Sequence, residues 1–138
     1  GRGGSMDRLE WNVQYSVGVP KIDQQHAYLF ELAHRLAKHT GDEHAKAVVA
    51  ETIAELHKYV DTHFSYEESI MEKAHYDHLE EHRKMHELMR TRLGLLTAQL
   101  KEGVLQRHDL IEFMESWLTE HIIMEDMRYI PAVSSLPQ

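Results

Sequence analysis

The stretch VAETIAELHKYVDTHFSYEESI, residues 49–70, sets the fold. Its apolar residues recur in steps of four and three, at Val49, Ile53, Leu56 and Val60. That period lines one face of an α-helix. The same steps carried forward reach His63, then Glu67, then Ile70. A stripe built for burial therefore contains an imidazole and a carboxylate.

Three further stripes share this character. One runs through Ile22, His26, Leu29, Ala33 and Leu36. Another runs through Leu79, His82, His86, Met89, Leu93, Leu96 and Leu100, and the last through Leu110, Met114, Trp117, His121 and Met124. Prolines stand only at Pro20, Pro131 and Pro137, so nothing between 21 and 130 forbids helix. Gly41 and Gly103 sit in polar segments and read as helix ends. The apolar period shifts phase near Ala74 to His78, a further break. Gly94 lies inside a periodic run and reads as a packing contact. The spacing predicts helices over about 22–39, 43–73, 78–101 and 107–128. Short connections join antiparallel neighbours. The expected fold is all-α, an antiparallel up-down-up-down four-helix bundle, with residues 6–21 as an extended N-terminal arm carrying Trp11 and Tyr15.

Composition narrows the function classes. Lys+Arg number 15 and Asp+Glu 23, giving a net charge of −8. An acidic chain lacks the cationic face that nucleic acid or an anionic membrane would need. The longest apolar runs are about four residues, against the ~20 of a membrane span. No cysteine is present, which excludes disulfides, thiolate zinc sites and cysteine nucleophiles. Gly1 to Ser5 reads as a cloning scar, and residues 6–138 as one domain with its bundle over about 22–130. A cytoplasmic location is the default expectation.

Twelve histidines in 138 residues is a heavy load, and five of them fall on the stripes. An unpaired buried polar group costs about 1–3 kcal/mol, and an unpaired carboxylate more. Alternating helix direction brings His26, His63, Glu67, His82, His86 and His121 to one level of the bundle. The opposite end, with Leu36, Val49, Leu96 and Leu110, is expected to be plain apolar core. Imidazoles and a carboxylate at one level are the ligand types of a transition metal. His34, His39, His44, His57, His75, His78 and His108 lie off the stripes and read as surface residues. His82-Arg-Lys-Met-His86 has zinc-protease spacing but lacks the glutamate base.

Four spaced motifs then carry a resemblance. They are IDQQH at 22–26, HFSYEE at 63–68, HRKMH at 82–86, and WLTEH at 117–121 followed by Asp126 and Tyr129. In this order they resemble the hemerythrins, in particular bacterial hemerythrin-like domains, over roughly residues 9–131. The resemblance implies two iron ions joined by an oxo or hydroxo bridge. His82, His86 and His121 would bind one iron and His26 and His63 the other, with Glu67 and Asp126 bridging. The first iron then has six donors and the second five, and the missing donor marks where dioxygen, or another small diatomic or anion, would bind. Ideal helix spacing from His121 favours Glu125 over Asp126, whereas the family pattern gives Asp126. Leu29, Phe64, Trp117, Leu118 and Met124 are the expected lining of the dioxygen pocket. The implied function is reversible dioxygen binding without catalysis. Alternatives are an oxygen, redox or nitric-oxide sensor, fused to or partnered with a signalling protein, and a peroxidase-like di-iron enzyme.

Overall fold

Proline at a first helical turn is pre-organised for helix, and its missing N–H is one the helix would not have used. Pro20 opens the first helix in this way in the computed structural model, which describes residues 20–38, 43–117, 128 and 130–133, with the backbone alone at 43–45, 130 and 133. The helices are α1 (Pro20–Lys38), α2 (Glu43–Lys73), α3 (Leu79–Glu102), α4 (Arg107–Ser116) and a short α5 (Ile130–Val133). The fold is an all-α four-helix bundle, as the periodicity predicts. Residues 1–19, with the rest of the N-terminal arm, Gly41 and residues 118–127 of the last predicted helix lie outside the described residues; Pro20 and Lys21, expected in the extended arm, are helical instead.

The helix ends have identifiable chemistry. After α2, His75 takes a left-handed φ of 55°. The His75 N–H donates to Glu72 O at 3.1 Å and the Tyr76 N–H to Met71 O at 3.0 Å, closing a Schellman turn. α3 ends the same way at Gly103, φ 79°, where glycine has no Cβ penalty. Gln106 starts α4, and its N–H donates to the Asp109 carboxylate at 3.3 Å. Arg107 Nη1 donates back to the carbonyls of Leu36 and Ala37, at 3.0 and 3.2 Å, so the start of α4 caps the end of α1.

α1 packs on α2 and α4, and α2 also packs on α3, α4 and α5. Leu36, Val49 and Leu110 join one large apolar cluster, with Leu96 packed against it. Ile22, Ile70 and Met71 form a smaller cluster at the α2–α3 turn, beside Tyr76 and Leu79. The residues between these clusters along the helices are the histidines and Glu67. Gly94 is exposed, and a Cβ there would meet no heavy atom of the described residues within 4 Å. The expected packing contact is absent because the residue lies on the outer face of α3. His34, His57, His75, His78 and His108 are exposed, and the side chains of His39 and His44 lie outside the described residues. No helix among the described residues is long and apolar enough to cross a membrane.

The α1–α2 seam carries polar ties on its outside. Tyr28 donates its hydroxyl to Glu55, and Arg35 pairs with Glu51. The Glu55 carboxylate holds the Tyr28 phenol protonated, pushing it up from 10.0 to about 12.

Two outcomes are expected. Leu56 is fully buried, so Leu56→Ala should destabilise the bundle by about 2–5 kcal/mol in urea unfolding. A phenol raised in the folded state contributes stability that is complete below pH 10 and lost as pH rises through about 12. Ultraviolet titration of wild type against Glu55→Gln should show one tyrosine moving down towards the ordinary value in the variant.

Candidate metal centre

Three helices deliver five polar side chains to one buried layer. α1 supplies His26, α2 supplies His63 and Glu67 one turn apart, and α3 supplies His82 and His86 one turn apart. Four are fully buried and His82 is 4% exposed. The i, i+4 spacing puts both members of each pair on one helix face.

Glu67 sits at the middle. His63 Nε2 and His86 Nε2 each lie 3.2 Å from its Oε1. His82 Nε2 lies 3.8 Å from the same oxygen, and His26 Nε2 lies 3.8 Å from Oε2. The donor atoms form two groups, His26–His63–Glu67 and Glu67–His82–His86, each with its atoms within 4.8 Å of one another. Glu67 belongs to both.

The far sides of two rings are also held. His63 Nδ1 meets Gln25 Oε1 at 2.7 Å, and His86 Nδ1 meets Glu68 Oε2 at 2.7 Å. Arg83 Nε lies 3.4 Å from the other oxygen of Glu68. Both acceptors fix the ring proton on Nδ1, because a carboxylate or carbonyl oxygen can only accept. The neutral ring then presents a lone pair on Nε2. In a neutral ring that lone pair meets Glu67 Oε1 at 3.2 Å, acceptor against acceptor, whereas a doubly protonated ring donates to it. A proton or a cation between them removes the repulsion. Metal bonds of about 2.1 Å at right angles would place adjacent donors about 3.0 Å apart, close to the spacing observed. The donor set and its outer hydrogen bonds therefore fit a pair of transition-metal ions.

Aromatic rings fix the imidazole planes. Phe64 stacks on His86 with centroids 3.8 Å apart and planes 4° apart. Tyr59 stacks on His63 at 4.8 Å and 26°. Trp117 lies 5.5 Å from both Phe64 and Tyr59. Of the expected pocket residues, Leu29, Phe64 and Trp117 are buried in the large cluster, while Leu118 and Met124 lie outside the described residues. His121 and Asp126 lie outside them too. Gln25, Glu68 and Tyr59 were given no role by the periodicity, although each adjoins or lies one turn from a stripe residue. The available signal was chemical: a buried imidazole committed through Nε2 needs an acceptor for Nδ1.

Comparison with known proteins follows the same lines. The family model described as the Hemerythrin HHE cation binding domain matches residues 17–133. The chain is 34% identical over 129 residues to a bacteriohemerythrin of Pseudomonas aeruginosa, covering 93% of this chain and 83% of the relative. It is 30% identical over 131 residues to the bacteriohemerythrin of Stenotrophomonas maltophilia, covering 94% and 84%. It is 28% identical over 119 residues to the myohemerythrin of Riftia pachyptila, covering 86% and 88%. No solved structure gives a significant match.

A ligand that binds only the folded state adds about 2.7 kcal/mol of stability when present at 100 times its Kd. Ferrous or cobaltous ion added to metal-free protein should raise the melting temperature, and chelation should reverse the rise. An unchanged melting temperature would mean that the buried donors hold no metal.

Proposed function

This chain belongs to the hemerythrin family, and we propose that it binds dioxygen reversibly at a pair of iron ions held around Glu67. His82, His86 and His121 would hold one iron and His26 and His63 the other, with Glu67 and Asp126 shared between them. The observation that carries this reading is the position of Glu67, shared between two histidine pairs in one buried layer. When bound, the iron pair supplies the electrons that a diatomic ligand draws on.

The chain's own groups do the rest. Glu67 lies within 3.8 Å of a ring nitrogen from each of the four histidines, so one carboxylate ties the two pairs together. Glu68 and Gln25 orient His86 and His63 through Nδ1 and keep each Nε2 turned inward. With His121 added to the His82–His86 side, the His26–His63 side would be one donor short and would be the side to take the gas. Leu29, Phe64 and Trp117 are buried apolar residues of the large cluster beside the layer. An apolar lining keeps water and protons from a bound ligand, which favours release of intact dioxygen over reduction.

Iron-loaded protein in air should show near-ultraviolet and visible oxo-to-iron absorption, lost on deoxygenation and restored by air over repeated cycles. Glu67→Gln should lower iron content at both positions, and His63→Ala chiefly at one. A spectrum that never reverts on deoxygenation would overturn reversible binding. An unchanged iron content in His63→Ala would remove that residue from the ligand set.

A further inference from the structure

Aromatic rings lead from the candidate centre to the surface. His63 stacks on Tyr59 at 4.8 Å. Tyr59 continues onto Tyr28, with centroids 6.4 Å apart and planes 27° apart. Tyr59 is 6% exposed and Tyr28 39%, so the series starts in the core and ends in water. The order follows from the helices. Tyr59 precedes His63 by one turn of α2, and Tyr28 reaches across from α1. At the outer end the Tyr28 hydroxyl donates to Glu55. Both residues line a cleft of about 330 Å³ between α1 and α2, with Tyr59 and His63 also in its wall.

Phenylalanine at 59 would fill the core without burying a hydroxyl. What two phenols in series add is redox chemistry. A phenol gives up an electron readily when its proton can leave at the same time. Glu55, already accepting the Tyr28 hydrogen bond, is placed to take that proton. Rings in contact also pass electrons better than the saturated side chains around them.

We propose that Tyr59 and Tyr28 form an electron path between the metal pair and the α1–α2 cleft, and that the path drains oxidising equivalents when hydrogen peroxide reacts at the centre. The path rests on the di-iron reading given above. One peroxide breaks its O–O bond and takes up two electrons and two protons to give two waters. Both electrons travel the path of the molecule whose centre takes the peroxide: its Tyr28 gives the first through Tyr59, regains a hydrogen atom from the exposed Tyr28 of a second molecule, and gives the second, leaving one Tyr28 phenoxyl on each molecule. Each Tyr28 proton goes to Glu55 and on to solvent. Two exposed Tyr28 phenoxyls then couple through a ring carbon–carbon bond. The sum is one peroxide and two tyrosines giving two waters and one dityrosine. The path thereby spares the histidines around the metals from oxidation.

The test uses the full chain loaded with iron, its metal content measured first, then treated with hydrogen peroxide. Dityrosine fluorescence and covalent dimers are read, and the cross-linked peptide is mapped. Dimers joined at Tyr28 are expected, with loss of both signals in Tyr28→Phe. Tyr59→Phe keeps Tyr28 on the surface and should lose the dimers while its helix content and iron content stay as in wild type. Metal-free protein should form none. Dimers that persist in either variant, that join through another tyrosine, or that form equally without metal would overturn the path. Iron bound with no Tyr28 cross-link defeats the path alone. A chain that takes up no iron defeats the di-iron reading and the path with it.

Discussion

Glu67 is a carboxylate with no exposure, ringed by imidazole nitrogens from three helices. A buried charge of this kind is tolerated only with compensation, since its desolvation costs several kcal/mol. That compensation must come from a proton or a cation held between the carboxylate and the rings around it. Two of the rings have their Nδ1 protons committed outward, to Gln25 and Glu68, so their inner nitrogens turn lone pairs towards the same carboxylate. Such a layer is electrostatically incomplete until positive charge enters it. Fold and site meet at that point, because the helices that converge here to bury their stripes also bring together side chains that could hold cations.

The rest of the bundle holds that layer in place. Apolar clusters lie on both sides, the large one around Leu36, Leu56, Leu93 and Leu110 and the small one around Ile22, Ile70 and Met71. The tight α2–α3 turn, closed by the left-handed His75, sets how far His82 and His86 stand from His63 and Glu67. Arg107 links the beginning of α4 to the end of α1 at the opposite end. Rigid supports on either side let donors stay within 3.2–3.8 Å of one carboxylate.

Aromatic residues give the layer direction. Phe64 covers His86 face to face, while Tyr59 covers His63 and passes the contact on towards Tyr28. The two sides of the centre therefore differ in surroundings. The His86 side is backed by a carboxylate, Glu68, and an apolar ring. The His63 side is backed by an amide, Gln25, and phenols that lead to a surface cleft. Inequality of this kind is what a centre needs if one position is to be saturated and the other reactive.

Much of this was legible along the chain. Helical period gave the stripes, and the interruption of those stripes by His26, His63, Glu67, His82 and His86 gave the layer, because burial and period are local properties of a helix and survive in one dimension. Helix ends at 73 and 103 were legible for the same reason. Three things were not. Gly94 looked like a packing residue, yet its position on the outer face of α3 depends on how the helix is rotated in the bundle. The partnership of Gln25 with His63, 38 residues away, and of Glu68 with His86, 18 away, depends on the approach of separate helices. The continuation of Tyr59 onto Tyr28 crosses the α1–α2 seam in the same way. Period specifies which face of a helix is buried, whereas the contacts a side chain makes across that face are set by the rotation and spacing of its neighbours, and these exist only once the helices have packed.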